Sequence, residues 1–164
     1  MLMSVVSPAD VAAVYPELAG ARVLVTGLTP SAGVDLARAF ADHKALLVLQ
    51  TPAETPEVTE LVAFLAQSAS EIRLYTDPLD NAEAAFTFAK TAAAAFGGLE
   101  AVINIVTLER HDFADLANAE DVERFIAAKL RPALEMTRVA ANRMRLTLGS
   151  GLILNVVTAP SDLS

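Results

Sequence analysis

Cysteine is absent from the 164 residues, which excludes disulfides and thiolate metal sites. The two histidines, His43 and His111, stand far apart without a metal-ligand spacing. Each is expected at the surface or in a loop, and no metal is expected. Tryptophan is absent too, and aromatics make up only 5% of the chain. The core must therefore be built from Ala, Val, Leu and Ile, as in parallel sheets covered by helices. Basic residues are outnumbered twelve to twenty, for a formal charge of −8. Such a surface repels phosphate backbones, so nucleic acid is not an expected partner. No apolar run reaches the roughly 18 residues of a membrane span. The first residues lack a basic stretch and are interrupted by Pro8, Asp10 and Pro16, so they do not read as a signal peptide. No membrane association is expected, and the cytoplasm is the default compartment.

What is present is a globular composition, 54% apolar and 20% charged, sufficient for one compact domain. Residues 1–17 read as an N-terminal extension and 18–164 as the domain. Short apolar runs at Arg22–Gly27, Ala45–Gln50, Glu71–Thr76, Leu99–Val106 and Leu152–Thr158 read as strands. Between them lie helical patterns at Ala32–His43, Glu57–Ser68, Asn81–Phe96 and Glu120–Thr147. Pro132 is expected to kink or break the last of these, and Asp112–Ala119 reads as a loop. The strand runs do not alternate, which marks strands covered on both faces. Short strand–helix alternation predicts an α/β fold, a doubly wound parallel sheet in the order 3-2-1-4-5.

The first strand–helix turn carries Gly27 and Gly33. Gly27 suits a tight turn. Gly33 suits close approach of helix to sheet, and the helix N-terminus beyond it would point N–H groups and a positive dipole end at a pyrophosphate. A plain strand–helix turn also uses glycine, so two glycines alone leave both readings open. The wider pattern resembles a short-chain dehydrogenase/reductase with a Rossmann-type fold. Thr26-Gly27 with Ser31 and Gly33 resembles the family's Thr-Gly-x-x-x-Gly-x-Gly, with serine at the middle glycine. Asp77, followed by Asp80, resembles the family's acidic residue after the third strand, which contacts the adenine. Phe96-Gly97-Gly98-Leu99-Glu100-Ala101-Val102-Ile103-Asn104 resembles Phe-Gly-x-Leu-Asp-x-Leu-Val-Asn, and the family's Asn-Asn-Ala-Gly survives only in Asn104. Ile153–Thr158 resembles Ile-Val-Asn-Ile-Ser-Ser. The likeness covers Leu18 to about Thr158.

The resemblance implies a nicotinamide cofactor, NAD or NADP, bound near Gly27, Ser31, Gly33, Thr51, Asp77 and Asn104. Thr51 falls where NAD-binding relatives carry an acidic ribose ligand, so the choice between the two cofactors stays open. It also implies carbonyl or alcohol chemistry on a small-molecule substrate, with a tyrosine as general acid/base and a lysine four residues on. Thr158 falls at the family's substrate-orienting serine. Lys129 falls at a relay asparagine, but a cation does not replace that amide, and it reads as a solvated helix lysine. Neither Tyr15 nor Tyr75 is followed by lysine at that spacing. The expectation is a nucleotide-binding domain, incomplete relative to the family and inactive as it stands. The alternatives are a non-catalytic nucleotide-binding or scaffold relative, and an anion-binding branch that has lost the dinucleotide. Leu130, Leu134, Val139 and Met144 are expected to give the 120–147 helix apolar surface for a homo-oligomer.

Overall fold

The computed structural model describes residues 15–114, 116–147 and 149–161. The five apolar runs form strands β1 (Arg22–Thr26), β2 (Leu46–Gln50), β3 (Glu71–Tyr75), β4 (Ala101–Thr107) and β5 (Leu152–Thr158). They pair in parallel throughout, in the order β3-β2-β1-β4-β5. This is the Rossmann-type α/β sheet that the sequence predicts.

Side chains alternate between two helical layers. Val23, Val25, Leu47, Leu49 and Ile103 pack toward Ala37 and Ala41 of α1 (Val34–Asp42) and Leu65 of α2 (Pro56–Leu65). Leu24, Val48 and Val102 pack toward Phe88 of α3 (Ala82–Ala95) and Met136, Ala140 and Met144 of α6 (Arg131–Thr147). Each such Leu, Val or Ile contributes about 1.5–3 kcal/mol on full burial. Both faces of the central strands need apolar residues, which is why the runs do not alternate. The edge strand β5 is less covered and exposes Leu152, Leu154 and Val157.

Local chemistry sets the helix starts. Thr55 caps α2 by accepting the Val58 N–H, with Pro56 in the first turn. Asn81 does the same for α3 through Ala84. Asn118 caps α5 (Ala119–Phe125) through Asp121. Among the described residues, no side chain caps α1, which begins at Gly33 in a left-handed conformation.

Several expectations are corrected. Part of the expected loop is a short helix, α4 (Arg110–Ala114). Its Asp112 carboxylate accepts the Glu109 N–H and pairs with Lys129. The long helix is not broken at Pro132. It runs from α5 through a π-helical turn (Ile126–Leu130) into α6, with the Arg131 N–H reaching back to the Ile126 carbonyl. Proline has no N–H for the Ala128 carbonyl, and its ring crowds that oxygen; a widened turn just before it relieves both. Met144 is buried in the core, not on the surface, and Val139 is partly buried against it. His43 is also buried: its Nδ1 lies 2.6 Å from the Ala39 carbonyl and the Tyr15 ring lies tilted against its ring. Of the expected extension, 1–14 lies outside the described residues, and Pro16–Leu18 forms a single helical turn before β1. Among the described residues, no helix is long and apolar enough to cross a membrane.

Candidate functional site

The chain lays β2 and β3 on one side of β1 and then returns to place β4 on the other. Loops leaving the carboxyl ends of β1 and β4 therefore diverge, and open α/β sheets bind ligands at that point. A crevice of about 330 Å³ lies there. Its floor is Thr26, Gly27 and Ile105. One wall is Gln50, Pro52, Pro78, Leu79 and Asp80; the other is Thr107 with Lys129, Pro132 and Met136 of the long helix.

The glycines are demanded by β4. Gly27 has φ +72, and a Cβ there would overlap the Ile105 carbonyl oxygen and stand 3.1 Å from its carbon. Gly33 has φ +88, and its Cβ would overlap Ile105 Cδ1. The first glycine meets backbone and the second meets the end of a side chain. Ile105 stands where the resemblance puts the second asparagine, so an apolar side chain fills the space beside Gly33.

The amides of the turn are engaged inward. Gly27 N–H donates to Gln50 Oε1 at 2.8 Å, and Leu28 N–H to the Gln50 carbonyl at 3.0 Å. Thr29 and Ala32 exchange main-chain bonds at 3.0 and 3.1 Å. The first turn of α1 is different. Its leading N–H groups have no intrahelical acceptor and no capping side chain among the described residues, which suits an anion. Asp35 in that same turn opposes one. The residues thus fit a pyrophosphate at the α1 end, while the ribose end is closed over by the protein's own side chains.

Asn104 makes a different structure. It is 1% exposed and stands level with Thr26 on β1 and Asn155 on β5. Thr26 Oγ1 donates to Asn104 Oδ1 at 2.9 Å, and Asn104 Nδ2 donates to Asn155 Oδ1 at 2.9 Å. Thr137 of α6 donates to the same Asn155 oxygen at 3.3 Å. The result is a polar ladder across three strands, tied to the long helix.

At the far wall, Lys129 leaves the π-helical turn and reaches Asp112 of α4, with Nζ to Oδ1 at 3.1 Å. Burial disfavours the Asp112 carboxylate, but the Glu109 N–H, Lys129 and His111 outweigh it and hold its pKa below the ordinary carboxylate range. Lys129 is therefore no solvated helix lysine. Thr158 Oγ1 donates to Thr107 Oγ1 at 3.3 Å, joining the ends of β5 and β4.

Of the residues expected at the site, Gly27 lines the crevice. Ser31 and Gly33 line a separate cavity at the start of α1. Asp77 borders a groove beside α3, although its carbonyl accepts Gln50 Nε2 at 2.7 Å. Thr51 is 1% exposed and donates its hydroxyl to the Ala53 carbonyl. Asn104 and Thr158 are engaged as described above. Sequence reasoning passed over Gln50 and Thr107. A lone amide closing an apolar strand was the available signal for Gln50.

A family model described as short chain dehydrogenase matches residues 21–161. No curated protein gives a significant match. Similar solved structures include an NADH-dependent reductase complexed with NAD: TM-score 0.73, 18% identity, covering 86% of this chain and 60% of that one. A short-chain dehydrogenase/reductase from Serratia marcescens has TM-score 0.66 and 19% identity, covering 84% and 55%. A short chain dehydrogenase from Mycobacterium avium has TM-score 0.66 and 23% identity, covering 84% and 54%. The chain thus spans less than two thirds of each of these three structures, and at these identities the likeness is one of fold.

Proposed function

Since the chain belongs to the short-chain dehydrogenase family, we propose that it serves as the dinucleotide-binding part of an oxidoreductase, taking NAD or NADP in the crevice over β1 and β4. The observation that carries this reading is that Gly27 lies on the crevice floor at the point where the sheet order reverses. The uncapped first turn of α1 supports it, as does the NAD in one similar structure.

Bound nicotinamide would supply a hydride donor or acceptor. The chain's own residues would shape the surroundings. Ile105, Val106, Pro132 and Met136 give an apolar lining that excludes water. Lys129, fixed by Asp112, puts a positive charge on the far wall. The linked hydroxyls of Thr107 and Thr158 offer an orienting group for an alcohol or carbonyl. Neither tyrosine lines the crevice: Tyr15 lies tilted against His43, and Tyr75 packs edge-on against Phe88. A missing general acid costs about a hundred- to ten-thousandfold in rate. The 164 residues are therefore read as binding the cofactor without turning it over. A cytoplasmic setting belongs to the same reading.

A homo-oligomer built on α6 belongs to the same reading. Leu134 and Leu146 are 61% and 73% exposed, and Leu146 borders a groove between α3 and α6 with Phe86 and Val139.

The test is to express residues 1–164, titrate them with NADH by fluorescence, and follow absorbance with a panel of ketones and alcohols. Saturable binding without turnover is expected. Absence of binding would overturn the nucleotide reading. Turnover that Thr158→Val abolishes would overturn the assignment of this chain as non-catalytic.

A further inference from the structure

We propose that Gln50 is a lock on the glycine turn, an internal competitor that the adenosine end of a nucleotide must displace. The inference rests on the reading of the crevice as a dinucleotide site and concerns what governs its affinity.

Gln50 ends β2 after four apolar residues and is 2% exposed. A buried carboxamide is costly unless both its ends are hydrogen-bonded. Here both are, and to main-chain groups at the ends of two other strands. Oε1 accepts the Gly27 N–H at 2.8 Å, and Nε2 donates to the Asp77 carbonyl at 2.7 Å. The Gln50 carbonyl also takes the next amide of the turn, from Leu28. With Thr29 and Ala32 bonded to each other, the turn is not the open cradle of amides that binds anions or sugars.

The neighbouring position offers no substitute. In dinucleotide-binding sheets the ribose hydroxyls are held at the end of the second strand. Thr51 stands there, buried, with its hydroxyl on the Ala53 carbonyl. Around it the wall is Pro52, Pro78 and Leu79, with Asp80 the one charged group lining that side among the described residues. Besides the Asp80 carboxylate, a ribose entering this half finds its polar partners in Gln50 or in the two main-chain groups that Gln50 covers. Displacing one flexible side chain frees Gly27 N–H and Asp77 C=O together.

Removing the competitor should therefore tighten binding of ligands that carry adenosine and leave others alone. Two hydrogen bonds of ordinary net strength correspond to about a thirtyfold change in Kd. The experiment titrates NAD, ADP-ribose and nicotinamide mononucleotide into the parent, Gln50→Ala and Gln50→Met by calorimetry, with folding checked by circular dichroism. The methionine keeps the buried volume and releases both main-chain groups, so it serves if the alanine variant does not fold. The expected result is tighter NAD and ADP-ribose binding in a folded variant, with the mononucleotide unchanged. In the parent, the Gln50 side-chain amide signals should shift on saturation with ADP-ribose. If NAD binds parent and variants alike, or binds the variants more weakly, the lock is wrong while the nucleotide site stands. If no protein binds NAD or ADP-ribose at millimolar concentration, the nucleotide reading fails and takes the lock with it.

Discussion

The two glycines of the first turn should fail in different ways when a methyl group is added, and Ile105 should tell them apart. Gly20 sets the baseline: its φ is +75 and nothing lies within 4 Å of its absent Cβ. Gly20→Ala should cost only the left-handed conformation, about 1–2 kcal/mol. Gly27→Ala adds overlap with the Ile105 carbonyl, which belongs to the central strand β4 and cannot turn aside. Overpacking of that kind adds about 1–3 kcal/mol, for a total of about 2–5 kcal/mol. Gly33→Ala meets side-chain ends alone, overlapping Ile105 Cδ1 and standing 3.3 Å from Leu28 Cδ1, and moving an isoleucine off its rotamer costs about 0.5–1.5 kcal/mol. Ile105→Val removes that carbon and leaves the carbonyl. In a double-mutant cycle read by urea denaturation at constant m, Ile105→Val should recover about 1 kcal/mol of the Gly33→Ala loss. It should recover none of the Gly27→Ala loss. Equal rescue of both, or a Gly27→Ala variant no less stable than Gly20→Ala, would refute the assignment of these glycines to packing against β4.

Asn104→Ala should destabilise by about 2–4 kcal/mol, because it strands the buried Thr26 hydroxyl and opens a void among three strands; urea denaturation with Asn155→Ala as comparison measures it. Asp112→Asn should lower the melting temperature at neutral pH. A carboxyl whose folded pKa is depressed contributes stability above its unfolded value and loses it as pH falls through the folded one. The gap between parent and variant should therefore close from about pH 4 downward, and a gap that stays constant would count against the Lys129 pairing. Leu146→Glu should shift an oligomer toward monomer in sedimentation at micromolar concentration, whereas a parent that is already monomeric there removes the case for α6 as an interface.

The sheet was legible because burial on both faces leaves an unmistakable composition: Val23–Val25, Leu47–Leu49 and Val102–Val106 contain no charged residue. Strand β5 was found with its ends intact, since Gly149–Gly151 and the polar tail bracket it. What escaped depends on groups far apart in sequence. Helix α4 has no apolar periodicity of its own and is held in place by Lys129 from the long helix. Proline at 132 signals a disturbance, but whether the helix kinks or widens is decided by the packing that buries the ring. At the site, the glycines were readable as glycines, yet what they approach is Ile105, on a strand three crossovers away.

Gln50 shows the same limit in its most useful form. Counting residues puts the ribose position at Thr51, and that count ignores which side chain is turned inward. In a parallel sheet covered on both faces, an amide at the end of an apolar strand finds few partners besides main-chain groups at the neighbouring strand ends. Those are also the groups that a ligand at a switch point uses. A polar residue closing an apolar strand on the ligand side of such a sheet therefore competes for the ligand's own hydrogen-bond partners. Its buried contacts, Gly27 N–H on one side and the Asp77 carbonyl on the other, mark where the competition takes place.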